Sequence, residues 1–209
     1  MNVLLIDDHA IVRAGVRRLL AGDPRFVVSE AATGREAWAA FRSNPPDLVV
    51  IDLSMPGISG LEVIRRMKQE TRTLRVLVLS MHCDALFVTR ALQAGALGYV
   101  SKNAPPEEIL IAIERVGAGR PYVEAELAQA LVIDGPGAES DALQSLSTRD
   151  IEIIRFLGEG HSLAKIADMI GLSYKTVANN CAQIKAKLGG ASTADLVRLA
   201  LRSGLLPPV

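Results

Sequence analysis

Cysteine is scarce in this 209-residue chain: there are two, Cys83 and Cys181, far apart in sequence. That excludes a disulfide-framed extracellular scaffold and fits a reducing compartment. No apolar run reaches membrane-spanning length, so no transmembrane helix is expected. The first residues, Met1-Asn2-Val3-Leu4-Leu5-Ile6-Asp7-Asp8, lack a basic segment and meet two carboxylates at once. They match neither a signal peptide nor a transit peptide, and a cytoplasmic location is expected. Net charge is also missing, with 23 Lys and Arg against 23 Asp and Glu. The balance is uneven along the chain: residues 121–145 hold five acids and no Lys or Arg, whereas 146–209 hold eight bases against five acids. A mildly basic C-terminal piece behind an acidic connector permits a polyanionic partner for that piece.

What is present is ordinary globular composition, 49% hydrophobic and 22% charged, in a chain long enough for two modest domains. Short apolar strands alternate with amphipathic helices from the start. The strands read Val3–Asp7, Phe26–Glu30, Asp47–Asp52, Arg75–Ser80 and Gly98–Lys102. Helix patterns fill Ala10–Ala21, Gly34–Ser43, Gly60–Glu70, Asp84–Ala94 and Pro105–Gly117. Five βα repeats predict an α/β fold with a doubly wound, five-stranded parallel sheet. The organisation expected is a first domain over 1–118, a linker over 119–145 and a second, smaller all-α domain over 146–209. The linker has a short helical possibility at Glu124–Ile133 and a hinge at Gly135–Ser140.

The run Leu48-Val49-Val50-Ile51 suits a strand buried on both faces, and it delivers Asp52 to its carboxyl end before the turn at Pro56-Gly57. Asp7 and Asp8 end the first strand, Ser80 the fourth and Lys102 the fifth, and in a doubly wound sheet those ends share one rim. Three carboxylates meeting there repel one another unless a cation is bound, and Mg²⁺ suits an all-oxygen set. Lys102 and Ser80 then stand where they could meet oxygens of a group attached to Asp52. The set reads as a device for placing a phosphoryl group on that carboxylate. A plain turn-capping role for Asp52 is the simpler reading, which four converging strand ends disfavour. No P-loop is present, so ATP is not expected as the direct donor. An aspartyl-phosphate phosphatase would carry a second carboxylate two residues on, where this chain has Ser54.

The last 60 residues read as four helices, Arg149–Gly158, Ser162–Ile170, Ser173–Leu188 and Ser192–Ser203, each entered near Ser or Thr. The second and third, joined at Gly171-Leu172, have helix-turn-helix proportions. On the third, Val177, Cys181, Ile184 and Leu188 form a core stripe, while Lys175, Ala178, Asn179, Ala182 and Lys185 fall largely elsewhere, as a major-groove reader requires. Cys181 reads as a core thiol and Cys83, beside His82, as surface loop.

Asp7-Asp8, Asp52 with Met55-Pro56-Gly57, Ser80 and Tyr99-Val100-Ser101-Lys102 resemble the receiver domain of bacterial two-component response regulators over residues 1–117. Leu146-Ser147-Thr148-Arg149-Asp150, Gly160, Ile166-Ala167, Leu172-Ser173, Lys175-Thr176-Val177 and Lys187-Leu188-Gly189 resemble the LuxR-type helix-turn-helix over 146–206. The whole is similar to a NarL/FixJ-type response regulator with a flavodoxin-like receiver. The resemblance implies Asp52 as phospho-acceptor, Mg²⁺ held by Asp7, Asp8, Asp52 and the Ser54 backbone carbonyl, and Lys102 against the phosphoryl group. It implies Ser80 and Tyr99 as a switch pair whose aromatic ring turns inward. It also implies DNA contacts from Lys175, Thr176, Ala178, Asn179, Ala182, Lys185 and Lys187. Partners would be a sensor histidine kinase, promoter DNA, RNA polymerase and, when phosphorylated, a second copy of the chain; no membrane is involved. Relatives of this kind often carry Lys or Arg at the place of Ala178 and His at that of Asn180, so this helix is less basic in its middle. The expected function is a phosphorylation-controlled transcriptional regulator. It would not be an enzyme beyond phosphoryl transfer to its own Asp and slow self-dephosphorylation. The alternatives are a regulator that binds DNA independently of phosphorylation, and a phosphatase.

Overall fold

A computed structural model describes residues 1–55, 59–133 and 146–202. The turn at Pro56-Gly57, the hinge at Gly135–Ser140 and the end of the last helix at Ser203 lie outside the described residues. The chain divides into two compact units, Met1–Ile133 and Asp134–Val209.

In the first unit, β1 (Asn2–Ile6), α1 (Ala10–Leu20), β2 (Val27–Ala31), α2 (Gly34–Ser43), β3 (Leu48–Ile51), α3 (Gly60–Glu70), β4 (Arg75–Ser80), α4 (Ala85–Ala94), β5 (Gly98–Ser101) and α5 (Pro106–Gly117) follow in strict alternation. All strands are parallel, in the order β2-β1-β3-β4-β5 with one further strand, β6 (Tyr122–Val123), beside β5. The sheet therefore has six strands where the sequence pattern gave five. Two residues are too short a run to register as a strand on periodicity, and their pairing depends on the open edge of β5. Helix α6 (Ala125–Ile133) follows and also belongs to this unit.

β3 is wholly inaccessible, as a central parallel strand covered by helices on both faces must be. On one face Val3, Leu5, Leu48, Val50, Leu77, Leu79 and Val100 pack with Val16 and Leu20 of α1 and Ala112, Ile113 and Val116 of α5. Strand alternation sends Leu4, Ile6, Val49, Ile51, Val76, Val78 and Tyr99, all buried, to the opposite face. The strand order reverses direction between β1 and β3, the point at which folds of this kind open a crevice at the carboxyl ends. Gly60 begins α3 in contact with that crevice. A Cβ on it would lie 2.2 Å from the Asp52 carbonyl oxygen, so only glycine lets the helix approach so closely.

The second unit holds α7 (Thr148–Gly158), α8 (Leu163–Met169), α9 (Tyr174–Lys187) and α10 (Thr193–Arg202). Ser147, Ser162 and Ser173 each cap the helix they precede. At α7 the box is complete: Asp150 N donates to Ser147 Oγ at 3.1 Å and Ser147 N to Asp150 Oδ2 at 2.9 Å. Gly171, at φ +65°, makes the turn between α8 and α9 that a side chain would strain. Ile151, Ile154, Ile166, Val177, Cys181, Ile184, Leu196 and Ala200 form its core.

Candidate functional site: an acidic rim and a helical reader

β1 ends at Ile6 and β3 at Ile51, so the next residues, Asp7 and Asp52, emerge side by side at the crevice. Both are buried, at 1% and 2% exposure, a costly position for two carboxylates. Lys102, just past β5, supplies the counter-charge: its Nζ is 2.7 Å from Asp7 Oδ2 and 2.8 Å from Asp52 Oδ2. Burial alone would lower the Lys102 pKa. The charge of Asp52 and the hydrogen bonds to Asp52 and Asp7 outweigh it and hold the ammonium above its ordinary value.

One lysine does not satisfy this site. Asp8 Oδ1 and Asp52 Oδ1 are buried without a hydrogen-bond donor, and Asp7 Oδ2 has only the Lys102 ammonium. Orphaned hard oxygens of this kind fit a divalent cation that takes oxygen ligands. Asp7, Asp8, Asp52 and His9 can each offer one ligand atom, all lying within 4.8 Å of one another. His9 was missed by sequence reading. It stands just before α1, with its Nδ1 2.9 Å from Asp8 Oδ1 and 3.2 Å from Asp7 Oδ1, and its place directly after the Asp pair was the available signal. Arg13, one turn along α1, donates to the Asp7 carbonyl at 2.7 Å and fixes the backbone that carries the pair.

Ser80, the last residue of β4, is fully buried, and its Oγ accepts from His82 N at 3.3 Å. Tyr99 on β5 is also fully buried; its hydroxyl donates to the His82 carbonyl at 2.7 Å. Burial pushes the phenol well above its ordinary pKa despite a hydrogen bond with Ser80. The ring is thus already inside the domain, and with β6 present its strand is not an edge. The Ser54 side chain bonds His82 Nε2 at 2.7 Å. His82, read from sequence only as the neighbour of a surface-loop Cys83, is 6% exposed and stacks on Phe87, although Cys83 itself is exposed. Its position two residues past Ser80 was the only sequence signal.

In the second unit, α9 buries Val177, Cys181 and Ile184 as the stripe requires. Lys175, Thr176, Asn179 and Ala182 are exposed and Ala178 is half-buried, a polar face with Gln183 and Tyr174 that sequence reading had not singled out. Lys185 and Lys187 are engaged elsewhere: Lys185 donates to Thr193 Oγ1 at 2.8 Å, and Lys187 pairs with the buried Asp150 at 2.6 Å. Burial raises the Cys181 pKa, as a core thiol's should be. No helix among the described residues is long and apolar enough to cross a membrane.

Residues 3–114 match the response regulator receiver domain, and residues 144–200 match the bacterial regulatory proteins of the luxR family. The chain is 41% identical to the transcriptional activator protein ExaE of Pseudomonas putida over 99% of its own length and 98% of that protein's. It is 36% identical to the response regulator UvrY of Escherichia coli over 98% of this chain and 95% of that one. A solved LuxR-family two-component response regulator from Aurantimonas is 40% identical. It superposes with a TM-score of 0.61, covering 64% of this chain and 96% of that one.

Proposed function

This chain belongs to the two-component response regulators that join a receiver to a luxR-family DNA-binding domain, and from that membership we propose that it is a transcriptional regulator switched by phosphorylation of Asp52. The observation that carries the chemistry is the division of labour on the Asp52 carboxylate. Oδ2 is held by Lys102, while Oδ1 is buried without a partner and free to attack. The phosphoryl group passes from a phosphohistidine nitrogen of a sensor kinase to Asp52 Oδ1; the P–N bond breaks, a P–O bond forms, and the histidine nitrogen takes a proton. Lys102 offsets charge on the transferred oxygens. Asp7, Asp8, Asp52 and the Ser54 backbone carbonyl would hold Mg²⁺, which supplies further positive charge to those oxygens. Reversal by water is slow because the residue two positions after Asp52 is Ser54, with no carboxyl to act as acid or base.

The Ser80 hydroxyl is the group that answers the new dianion, and Tyr99 follows through their shared surroundings. The output is α9, whose Lys175, Thr176 and Asn179 face solvent and would meet phosphates and base edges in the major groove, with Ala178 and Ala182 allowing close approach. Lys185 and Lys187 would reach phosphates only by giving up their present partners. The working assembly is a cytoplasmic homodimer on promoter half-sites, with RNA polymerase as its downstream partner. The receiver proper spans 1–118, with β6 and α6 added to its unit up to Ile133, and the DNA-binding domain spans 146–209.

The test is DNA affinity with and without a small phosphodonor and Mg²⁺, in the wild type and Asp52→Asn. We expect tighter binding on phosphorylation, lost in the variant. Lys175→Ala should weaken binding across sequences and lower the salt slope by about one. The second reading is a regulator that binds DNA independently of phosphorylation. Equal affinity with and without the phosphodonor would establish that reading instead.

A further inference from the structure

Four segments of the receiver meet at one residue beside the acidic rim. The His82 ring stacks on Phe87 of α4 with centroids 4.2 Å apart, and its Nε2 is 2.7 Å from Oγ of Ser54, two residues beyond Asp52. Its backbone does the rest: N–H donates to Ser80 Oγ, and C=O accepts the Tyr99 hydroxyl. The ring is therefore fixed to the segment that follows the acceptor carboxylate, and the peptide groups of the same residue are fixed to both switch side chains.

We propose that His82 is a positioning residue, a latch through which movement of the Asp52–Ser54 segment is transmitted to Tyr99. This rests on Asp52 being the phospho-acceptor. A group added to Asp52 displaces the segment that bears Ser54. The 2.7 Å bond carries that displacement into the His82 ring, and the stack on Phe87 limits the ring to moving together with its own backbone. The Tyr99 hydroxyl, which donates to that backbone carbonyl, then moves with it. Ser80 provides a shorter route from phosphoryl to switch; the latch is a second one that does not need the Ser80 hydroxyl to reach the phosphate.

The predicted pattern separates polar contact from packing. His82→Phe keeps the aromatic stack and deletes the bond to Ser54; Ser54→Ala deletes it from the other side; His82→Gln places an amide where Nε2 stood. Full-length protein labelled with 3-fluorotyrosine gives three ¹⁹F resonances, assigned by single Tyr→Phe changes at 99, 122 and 174. Acetyl phosphate and Mg²⁺ are added, and uptake at Asp52 is followed in parallel by gel retardation. Uptake is expected in the wild type and in the His82 variants, and the Tyr99 resonance of Ser54→Ala is compared at equal uptake. The Tyr99 resonance should move in the wild type and His82→Gln and stay put in His82→Phe and Ser54→Ala, with the double variant no worse than either single one. Should His82→Phe fail to fold, His82→Leu, which also lacks the bond to Ser54, carries the test. A Tyr99 shift of wild-type size in the His82 variant that lacks the bond overturns the latch while leaving the acceptor reading intact. Absence of uptake in the wild type removes the acceptor reading and the latch with it.

Discussion

Lys102 is the single cation, among the described residues, within ion-pair distance of both buried carboxylates, which makes Lys102→Met the most informative perturbation of the receiver. The variant leaves Asp7 and Asp52 at 1% and 2% exposure with no positive partner, and breaking a buried pair in this way costs about 3–5 kcal/mol. For a unit spanning Met1–Ile133, about 3–5 °C per kcal/mol gives a fall in Tm of about 10–25 °C. The sign with pH follows from Lys102 itself. Against the pull of burial, the Asp52 charge and hydrogen bonds hold its ammonium above the ordinary 10.5, so its contribution is whole below that value and lost as pH rises through the raised one. Mg²⁺ at a hundredfold excess over its Kd should return about 2.7 kcal/mol at pH 7. Thermal unfolding by circular dichroism at pH 7, in EDTA and in Mg²⁺, measures the deficit. A variant within about 1 kcal/mol of wild type at pH 7 in EDTA would refute the account of charge at this rim.

Gly60→Ala forces a Cβ against the Asp52 carbonyl, so α3 must retreat by about an ångström; this should cost about 1–3 kcal/mol in urea unfolding and slow phosphoryl uptake about a hundredfold. Asp150→Ala removes both an arm of the α7 cap and the partner of Lys187. It should lower the stability of the second unit by about 1–2 kcal/mol while uptake at Asp52 is unchanged. Burial raises the Cys181 thiol above its ordinary 9.0. Its contribution to stability is thus whole below that value and lost as pH rises through the raised one. Melting the second unit on both sides of pH 9 should show an alkaline decline that Cys181→Ala reduces.

The sequence by itself determined the alternation of strands and helices, the parallel sheet and the two-part organisation, because burial on both faces leaves a continuous apolar run at Leu48–Ile51 and solvent leaves a striped one on the helices. It also placed Asp7, Asp52, Ser80 and Lys102, since a residue at the carboxyl end of a parallel strand has one rim to stand on. The caps at Ser147, Ser162 and Ser173 were legible for the same reason: a cap is a contact over three residues. Contacts that join distant segments were not legible. Tyr122–Val123 became a sixth strand only because β5 had an open edge. Lys185 and Lys187 looked like free cations until the fold set Thr193 and Asp150 beside them. His9 and His82, two of the three histidines, carried no pattern of their own. Only tertiary structure turned one toward the carboxylates and pressed the other between Ser54 and Phe87, because the path from residue 54 to residue 82 is short in space and long in sequence.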